Sequence, residues 1–578
     1  MLSSVSAHPT APSDMVESVH LVKQDPVTVI EAEPGVFLVD FGKVAFGNVV
    51  IQLPAGAKAT VKVHFGEAMD QGRINRKPPG TVRYSVVEAD LKGGGSQVVA
   101  PAPDARNTEV NSNSHPPAIL TPKEWGVVLP FRWVEIEGWS GKFRPENIKR
   151  QAAFASSWDD NAASFQSSDP MLNRIWDLCQ YSIKATTFAG VFVDGDRERI
   201  PYEADAYLNQ LSYYATSTDN QIPRATYDYL MKYGTWPTEW AYHMVFMAYA
   251  DWMQTGDKGW LADRYDALKS KLHMDRVGAE GLVRSSKNDI VDWPVGERDG
   301  YQFKPFNTVV NSFYLRSLRL MSVMGKAIGR DSDASHYAEL ESKAHLAFQK
   351  AFFDPQAGLY RDGTETDHQS LHANLFPLAF GQVPATHRKT VARWLKNRGM
   401  KCSVYAAQYL LEGLFENGEA AAAVDLMLAP GDRSWRHMVE SGTTITWEAW
   451  DQKYKPNQDW NHAWAAAPAN LLPRYVLGVQ ALSPGWKTVA IKPHAGSLTY
   501  AKGRVPTQLG SVMLDWKRAK TFTLSLNLPK GMSAKVELPD QPSVSAVSVN
   551  GKPVRTARKG TWWVLTDPVS GTVKIELK

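Results

Sequence analysis

NTVVNSFYLRSLRLMSVMGKAIG, residues 307–329, places apolar side chains every three or four positions and ends on a glycine. That spacing puts the apolar side chains on one face of an α-helix, and a glycine is typical of a helix end. The stretch therefore predicts a long helix that buries one face. Because similar stretches lie on both sides of it, this pattern decides the fold class of the central part of the chain.

Helical patterns of this kind run from about residue 169 to residue 476. They follow one another in succession, joined by short turns that carry glycine or proline. The predicted segments are 170–186, 203–216, 223–234, 239–256, 259–275, 307–329, 334–353, 371–381, 386–399, 404–418, 419–429 and 460–479. Twelve antiparallel helices in two nested rings would form an (α/α)6 barrel. A helical solenoid is the alternative, although no repeat of fixed period is visible.

Strand patterns precede the helices. Segments 35–54, 58–68 and 129–139 alternate apolar and polar residues and are interrupted by glycine and proline. Between them, residues 78–125 are rich in Pro, Gly, Ser and Asn, which predicts a long surface excursion rather than more core. We therefore expect an N-terminal β-sandwich that contains an insert at 78–125.

Strand patterns return after the helices. Segments such as 511–518 and 521–529 alternate, and Asn550-Gly551 is typical of a hairpin turn. A second antiparallel β-sandwich is expected there. The predicted organisation is a leader remnant or disordered segment, an N-terminal β-sandwich, an (α/α)6 barrel and a C-terminal β-sandwich, over residues 1–20, 21–154, 155–477 and 478–578.

The composition excludes several classes of protein. At 578 residues the chain is too long for a single core. Its net charge of +4 comes from 64 basic and 60 acidic residues spread along the sequence, so no footprint for nucleic acid or a membrane is visible. The 20 tryptophans are unusual, and indole rings suit the apolar faces of sugars, although many tryptophans belong to cores. Cys179 and Cys402 are expected to be buried thiols rather than a bridge.

The first residues, MLSSVSAHPTAPSD, do not show a basic region followed by an apolar core. The sequence therefore predicts either a cytoplasmic protein or a periplasmic or secreted protein from which a signal peptide has been removed. No apolar stretch reaches the length of a membrane span, so we expect no membrane partner.

Three loop-to-helix junctions are rich in carboxylates. The first, within VFVDGDRERIPYEADAYLNQ at 191–210, contains Asp194, Asp196, Arg197, Glu198, Arg199, Glu203 and Asp205. The second contains Asp292, Trp293, Glu297, Arg298 and Asp299. The third contains Trp447, Glu448, Trp450, Asp451, Asp459, Trp460, Asn461, His462 and Trp464. A helical barrel gathers its loops at one end, so we expect the three clusters to meet there.

This combination of side chains points to glycoside hydrolysis. The reaction needs one carboxylic acid to protonate the leaving oxygen, one carboxylate to activate water or to attack, and flat rings to hold the sugar. Each residue alone has a structural explanation, because acidic residues cap helix starts and Arg–Glu pairs are often structural. Three such clusters at the same kind of junction favour the functional interpretation.

The motifs resemble one known family. DGDRERIPYEADA is similar to the motif of bacterial α-L-rhamnosidases of glycoside hydrolase family 78, in the six-hairpin glycosidase superfamily, where Asp precedes Asp-Glu-Arg, an aromatic residue and Gly-Asp-Ala. TTITWEAWD, NHAW and RYVLGVQALSPGWKTVAIKPH resemble the second carboxylate segment and the exit into the C-terminal sandwich. FLVDFGKVAFGNVVIQL and FRWVEIEGW resemble the N-terminal sandwich, so the resemblance spans about Phe37 to His494.

The resemblance implies an inverting hydrolysis of a terminal α-L-rhamnosyl bond. It makes Glu198 the general acid and Glu448 the general base, and it places Tyr202 where the family has a ring-stacking Trp. From the resemblance and the clusters together, the residues expected to contact the substrate are Asp194, Arg199, Tyr202, Glu203, Asp205, Trp240, Asp292, Trp293, Trp447, Trp450, Trp460 and His462.

The sequence departs from the family pattern at three positions. Asp194 lies four residues before Glu198 instead of six, and Arg197 stands where the family has Asp. Glu203 is an additional carboxylate that competes with Glu198 for the acid role. The distance between the two catalytic carboxylates decides the stereochemistry, since about 6.5–9.5 Å leaves room for a water and implies inversion, whereas about 5 Å implies retention.

Basic residues gather at the same end of the helical region, namely Arg197, Arg199, Arg298 and Lys304. They lead us to expect a uronate next to the rhamnose. On sequence alone, other six-hairpin glycosidases, phosphorylases, polysaccharide lyases and non-catalytic glycan-binding proteins remain alternatives. The sequence shows neither His-Glu-x-x-His nor a phosphate-binding loop, so neither metal nor nucleotide cofactor is expected. The expected partner is a rhamnose-containing oligosaccharide or glycoside, and the oligomeric state is left undetermined.

Overall fold

The computed structural model describes residues 18–104, 118–541 and 544–578. Most of the segment 1–20 that was expected to be a leader remnant or disordered, and part of the expected insert at 78–125, lie outside these ranges. The described chain has sheet regions at both ends and a helical region between them, which is the order that the sequence predicts.

The N-terminal region is one connected sheet of eight described strands. At its centre, Val36–Gln52 pairs antiparallel with four of the others, and its register with Leu129–Glu137 shifts between Asp40 and Ala45. Such an irregularity bends a strand. The strands are Val19–Gln24, Thr28–Glu33, Val36–Gln52, Lys58–Gly66, Tyr84–Lys92, Ser96–Val99, Leu129–Glu137 and Ile148–Ala155.

Two of these strands correct the expected surface insert at 78–125. Tyr84–Lys92 pairs along the whole of Lys58–Gly66, and Ser96–Val99 pairs with the central strand. Leu91 is buried in the core of the sheet. The alternation within these short strands was overlooked because the prolines and glycines of the segment, which lie between and outside the strands, dominate its composition.

The opening stretch forms the helix Thr308–Ala327, and Asn307 caps it by accepting a hydrogen bond from the N–H of Val310 at 2.9 Å. Most of the other predicted segments are also helical, with ends that differ by a few residues. The described α-helices are Pro170–Ala185, Glu203–Thr216, Gln221–Lys232, Thr238–Ala241, His243–Thr255, Lys258–Leu268, Thr308–Ala327, Asp331–Phe352, Leu371–Ala379, Arg388–Arg398, Val404–Glu416, Ala420–Met427, Trp435–Glu440 and Pro468–Leu471.

Six helices of the described chain pack one against the next, and the last of them packs against the first. We call these the inner helices: Glu203–Thr216, His243–Thr255, Thr308–Ala327, Leu371–Ala379, Val404–Glu416 and Pro468–Leu471. Their facing side chains include Phe313, Phe376 and Tyr409, whose ring centroids lie 4.9–6.0 Å apart. The other helices pack outside them, as Asp331–Phe352 does along Thr308–Ala327.

Two differences from the predicted helices lie near the end of this region. The segment expected to be one helix at 460–479 contains a 3-10 turn at Ala463–Ala465, the helix Pro468–Leu471 and a π-helical turn at Leu472–Leu477. A proline near the start of each of the last two pieces interrupts regular hydrogen bonding. The helix Trp435–Glu440 was not predicted, because six residues are too few for a clear period.

The C-terminal region contains one sheet of seven strands and one of five, whose apolar faces belong to one core. The larger sheet consists of Ser164–Ser167, Tyr500–Val505, Val512–Arg518, Phe522–Asn527, Thr572–Leu577, Val547–Val549 and Lys552–Pro553. The smaller consists of Val479–Ala481, Thr488–Ile491, Ser533–Pro539, Trp562–Leu565 and Thr556–Lys559. The pairing of Thr488–Ile491 with Ser533–Pro539 is parallel, which corrects the expectation of a wholly antiparallel sandwich.

The C-terminal sheets are joined to the rest of the chain. Ser164–Ser167 precedes the first helix and lies within the range expected for the barrel, yet it pairs with Tyr500–Val505 at the edge of the larger sheet. The indole of Trp516 donates a hydrogen bond to the carbonyl of Val476 at 2.9 Å. Both cysteines are free and buried, as expected. None of the described helices is long and apolar enough to cross a membrane.

Candidate active site

Residues 194–199 form a tight loop that rests on the third cluster. Gly195 has a φ of +126°, and a Cβ at this position would lie 2.4 Å from Oδ2 of Asp459. Only glycine permits both this conformation and this approach. The N–H of Asp196 donates to Oδ1 of Asn461 at 2.7 Å. The fold therefore joins the first and third clusters, as the sequence predicts.

Arg199 lies behind this loop and not in an open site. Its Nε and Nη2 donate to Oδ1 of Asp196 at 3.0 and 2.9 Å, and its guanidinium lies 5.1 Å from the centre of the Phe188 ring. The side chain is buried. Arg83 of the N-terminal sheet also contacts Asp196. These contacts give Arg199 a structural role and disagree with the predicted substrate contact.

Glu67 connects the N-terminal sheet to the same loops. Its Oε1 accepts a hydrogen bond from Nδ2 of Asn461 at 3.0 Å, and its Oε2 accepts one from the N–H of Arg83 at 2.7 Å. Burial raises the pKa of Glu67 to about 8, and the charges of Asp196 and Asp459 act in the same direction. The N-terminal sheet thus helps to position the loops that carry the candidate catalytic groups.

One guanidinium joins the two candidate catalytic carboxylates. Nη1 of Arg197 donates to Oε1 of Glu198, and Nη2 donates to Oε1 of Glu448 at 2.8 Å. Arg197 and Glu448 are 251 residues apart in the sequence. The fold therefore brings Glu198 and Glu448 to one place, where both contact the guanidinium of Arg197.

Glu198 is the more exposed of the two carboxylates. Its Oε2 accepts a hydrogen bond from the hydroxyl of Tyr202 at 2.9 Å. Burial acts to raise the pKa of Glu198, but the charge of Arg197 and hydrogen bonds from Asp194, Tyr202 and Arg197 outweigh it and lower the pKa. Burial, together with the charge of Glu198, raises the pKa of Asp194 well above its usual value. The pKa values of these two neighbouring carboxyl groups therefore move in opposite directions.

Glu448 lies deep in the site. Its Oε1 also contacts Nζ of Lys455 at 3.2 Å, whereas its Oε2 has no hydrogen-bond partner among the described residues. Burial and the charge of Asp459 raise the pKa of Glu448, against the opposing charges of His462, Arg197 and Lys455. The unpartnered oxygen is a buried acceptor that a hydroxyl group or a water molecule can satisfy.

His462 lies between two carboxylates. Its Nε2 contacts Oδ1 of Asp205 at 2.7 Å, and its Nδ1 lies 3.4 Å from Oδ1 of Asp459. Burial acts to lower the pKa of His462, but its two acidic partners raise the pKa well above the usual value. The imidazolium thus adds positive charge near Glu448. Asp205 and His462, which were each predicted to contact the substrate, therefore contact one another in the structure.

Aromatic side chains surround the carboxylates. Trp447 and Trp460 stack with ring centroids 5.4 Å apart, and Trp240 meets Tyr202 edge to face at 5.8 Å. The indole N–H groups of Trp240, Trp447 and Trp460 are buried and have no partner among the described residues. Three unsatisfied donors beside an unsatisfied carboxylate oxygen are what a site for a polyhydroxylated ligand requires.

The carboxylate of Glu203 is hydrogen-bonded to a neighbouring loop. Its Oε1 accepts a hydrogen bond from the N–H of Thr235 at 2.9 Å, and its Oε2 accepts one from the Thr235 hydroxyl. Both carboxylate oxygens are thus used to hold a loop. The structure therefore disagrees with the predicted substrate contact of Glu203 and gives it a positioning role.

The carboxylate of Asp292 is hydrogen-bonded to residues of the protein interior. Its Oδ2 contacts Nε2 of His372 at 2.6 Å and accepts a hydrogen bond from the N–H of Ser403 at 2.9 Å. Its Oδ1 accepts hydrogen bonds from the Ser403 hydroxyl and from the N–H of Trp293. Asp292 is fully buried, so these contacts argue against the predicted sugar contact. Trp293 is partly exposed and lies 5.8 Å from Nζ of Lys455, beside Glu448.

Trp450 belongs to the core. Its indole N–H donates to the carbonyl of Cys402 at 2.7 Å, and its ring meets Trp435 edge to face at 4.9 Å. The side chain is fully buried. The prediction that Trp450 contacts substrate disagrees with this placement.

Asp292→Ala is expected to destabilise the protein by about 3 kcal/mol, because the substitution leaves buried donors of Ser403 and His372 without a partner. Urea unfolding followed by tryptophan fluorescence measures the difference. Asp567→Ala is the matched control, since Asp567 forms an exposed ion pair with Arg555 and an exposed hydrogen bond with the Thr566 hydroxyl, both at 3.4 Å, and its substitution should change stability by less than about 0.5 kcal/mol. Equal effects of the two substitutions would contradict the assigned role of Asp292.

One group of side chains in the site has the composition of a metal centre. Glu448, Asp459 and His462 place one potential ligand atom each within 4.8 Å of the others. However, the positive charges of Arg197 and Lys455 already contact Glu448. Positive charge at this distance opposes a metal cation, so the group fits a site for an organic ligand better.

Several contributors to the site were missed in the sequence. Lys455 lies within the third cluster, between Asp451 and Asp459, and Glu67 and Arg83 come from the N-terminal region. Trp236, which meets the ring of Tyr202, was not singled out either. No local pattern marks Glu67 or Arg83, because their role depends on contacts between distant parts of the chain.

Comparison with known proteins gives three family matches along the chain. Residues 30–106 match the bacterial alpha-L-rhamnosidase concanavalin-like domain, residues 160–476 match the bacterial alpha-L-rhamnosidase 6 hairpin glycosidase domain, and residues 478–552 match the bacterial alpha-L-rhamnosidase C-terminal domain. The matches follow the order of the three structural regions.

Two curated relatives are similar over most of this chain. An alpha-L-rhamnosidase of Alteromonas sp. (strain LOR) is 24% identical over 576 residues, covering 92% of this chain and 59% of the relative. An alpha-L-rhamnosidase of Streptomyces avermitilis is 22% identical over 559 residues, covering 90% of this chain and 50% of the relative. The chain thus spans between half and three-fifths of the length of these two relatives.

A solved structure supports the same relationship. The Streptomyces avermitilis alpha-L-rhamnosidase complexed with L-rhamnose aligns with a TM-score of 0.79 and 20% identity, covering 98% of this chain and 54% of that one. At this identity the likeness establishes the fold. The match to the 6 hairpin glycosidase domain alone extends over more than half of the sequence. The chain therefore belongs to the bacterial alpha-L-rhamnosidase family.

Proposed function

We propose that the protein releases terminal α-L-rhamnose from a glycoside by an inverting hydrolysis in which Glu198 is the acid and Glu448 is the base. The observation that carries the proposal is the contact of both carboxylates with the single guanidinium of Arg197. Two carboxylates held at one site by distant segments are the minimum that glycoside hydrolysis requires. Membership of the bacterial alpha-L-rhamnosidase family supports the choice of α-L-rhamnose as the sugar.

We also propose that the helices close an (α/α)6 barrel. The inner helices pack in a ring of six, and the remaining helices pack outside them, which supports the barrel over the solenoid alternative. The loop with Glu198 precedes the inner helix Glu203–Thr216, and the segment with Glu448 and His462 precedes the inner helix Pro468–Leu471. Both therefore lie at the N-terminal ends of neighbouring inner helices.

In the proposed reaction, the carboxyl group of Glu198 gives its proton to the glycosidic oxygen as the bond from that oxygen to C1 breaks. A water molecule attacks C1 from the opposite face, and Glu448 takes the proton that the water loses. The products are β-L-rhamnose and the free alcohol, with Glu198 ionised and Glu448 protonated.

We propose that Asp194 is the source of the proton for Glu198. Burial and the charge of Glu198 raise the pKa of Asp194. The charge of Arg197 opposes the effect of burial on Glu198 and lowers its pKa. We propose that a sugar takes the place of the contact with Arg197, so that the pKa of Glu198 rises and the proton passes to it from Asp194.

The structure weakens the argument for a uronate next to the rhamnose. Arg199 is buried against Asp196, and Arg197 contacts Glu198 and Glu448, so two of the four basic residues already have acidic partners. We therefore propose a leaving group that is recognised by apolar contact rather than by charge. Equal rates with neutral and uronate-linked rhamnosides are the expected result.

Release of L-rhamnose from a panel of glycosides tests the proposed function. Methyl and 4-nitrophenyl α-L-rhamnosides are expected to be cleaved, whereas the 4-nitrophenyl α-D-mannoside and α-L-fucoside are not. The latter two sugars differ from L-rhamnose in configuration but have the same leaving group. Folded protein that cleaves neither rhamnoside, or that cleaves a control sugar faster, would contradict the proposal.

Arg197→Met is expected to shift both limbs of the pH profile of kcat/KM to higher pH. The charge of Arg197 lowers the pKa of Glu198 and opposes the raised pKa of Glu448, so its removal raises both. The profile of kcat/KM reports these groups in the free enzyme. Arg436→Met, which removes an arginine paired with Glu440 on the helix Trp435–Glu440, should leave the profile unchanged. An unchanged profile would show that Arg197 does not act on the catalytic pair, and a shift to lower pH would contradict the direction of both pKa changes.

A further inference from the structure

Trp236 is an exposed aromatic side chain next to the candidate acid. Its side chain is 54% exposed, although large apolar groups are usually covered in a folded protein. It lies between the helices Gln221–Lys232 and Thr238–Ala241. Its ring meets Tyr202 edge to face, with centroids 6.1 Å apart and an angle of 89°. The Tyr202 hydroxyl in turn donates to Glu198 at 2.9 Å.

The loop that carries Trp236 is fixed on both sides. On one side, the buried carboxylate of Glu203 accepts two hydrogen bonds from Thr235. On the other side, Oδ1 of the buried Asp289 accepts hydrogen bonds from the N–H and the hydroxyl of Thr238, at 2.8 and 2.7 Å. The protein thus uses two buried carboxylates to hold one exposed indole in place. An incidental surface tryptophan does not require such support.

We propose that Trp236 and Tyr202 form a subsite that binds the leaving group of the substrate through an aromatic ring. The inference rests on the proposed function, because the acid Glu198 must face the leaving oxygen. Groups attached to that oxygen then lie on the side of Glu198 where Tyr202 and Trp236 are found. An exposed indole at this position offers a flat apolar face to stack on.

The chemistry of the loop favours an aromatic leaving group over a sugar. A sugar subsite combines a stacking ring with groups that hydrogen-bond hydroxyls. Thr235 is hydrogen-bonded to Glu203, Thr238 is hydrogen-bonded to Asp289, and the Tyr202 hydroxyl donates to Glu198. The subsite therefore offers apolar surface mainly.

The test compares KM for two rhamnosides in the full chain. Trp236→Ala is expected to raise KM for 4-nitrophenyl α-L-rhamnoside by about three- to tenfold, the range of one aromatic stacking contact, and to leave KM for methyl α-L-rhamnoside within about twofold. Trp236→Phe should restore most of the affinity for the aryl substrate. Leu346→Ala is the matched control, because Leu346 is 71% exposed on the helix Asp331–Phe352. It should change neither value.

The outcomes separate the inference from the function on which it rests. If the parent protein cleaves neither rhamnoside, the proposed function fails. If the parent cleaves both and Trp236→Ala changes both KM values equally, or neither, the function stands and the subsite is overturned. An α-L-rhamnosyl-glucose disaccharide is the third substrate. If Trp236→Ala raises KM for this disaccharide as much as it raises KM for the aryl substrate, the subsite binds a sugar and the aromatic preference is overturned. Thermal unfolding of each variant, with Trp236→Phe as the second variant, excludes loss of folding as the cause.

Discussion

Glu448→Gln is expected to lower kcat for methyl α-L-rhamnoside by about 10³- to 10⁴-fold. Glutamine keeps the shape of the side chain, and its amide oxygen can still accept the hydrogen bond from Arg197. It cannot take a proton from water. Because the base acts on the water and not on the leaving group, the loss should be similar for methyl and 4-nitrophenyl α-L-rhamnosides. Steady-state kinetics with both substrates measure it.

Two controls make this prediction specific. Glu440→Gln changes an exposed glutamate eight residues earlier in the sequence and should leave kcat within about twofold. Azide needs no base, so it is expected to restore turnover of 4-nitrophenyl α-L-rhamnoside by Glu448→Gln and to give the β-L-rhamnosyl azide. An α-configured azide would mean that azide attacked a covalent intermediate formed by another carboxylate, so that Glu448 is the acid/base residue of a retaining enzyme. A loss below about tenfold would show that Glu448 is not the base.

Glu198→Gln is expected to lower kcat for methyl α-L-rhamnoside by about 10²- to 10⁴-fold and to affect 4-nitrophenyl α-L-rhamnoside much less. Methanol is a poor leaving group that needs a proton, whereas 4-nitrophenolate leaves readily without one. The ratio of the two losses is therefore the measurement, and it identifies an acid independently of the absolute rate.

Glu203→Gln is the matched comparison for the acid. Glu203 holds the loop of Trp236 through Thr235, so its substitution is expected to act on that loop and not on protonation. Removal of the acid penalises the methyl glycoside most. A methyl-specific loss in Glu203→Gln, with none in Glu198→Gln, would exchange the two assignments.

The helical region was largely predictable because its signal is local. The stretch 307–329 repeats its apolar residues over several turns, and the structure forms Thr308–Ala327 there. Shorter elements gave a weaker signal, as the helix Trp435–Glu440 shows. Tyr84–Lys92 was missed because the composition of its surroundings indicated a loop, although pairing with Lys58–Gly66 determines its structure.

The sequence predicted the residue types of the candidate site, but not the hydrogen-bond partners of each residue. The resemblance pointed to Glu198 and Glu448, and the fold brings both to Arg197. By contrast, Asp292 and Trp450 have the expected residue types at the expected spacing, yet their polar atoms bond to the protein interior. Sequence spacing cannot distinguish a carboxylate that faces a ligand from one that faces a buried donor, because the partners come from distant segments.

The anomeric form of the first product tests the central claim most directly. Proton NMR of methyl α-L-rhamnoside during the first minutes of hydrolysis follows the released sugar before mutarotation equilibrates it. The account predicts that β-L-rhamnose appears first and that it is absent with Glu448→Gln. Initial release of α-L-rhamnose would contradict it, because retention requires one carboxylate to attack the sugar and not to activate a water molecule.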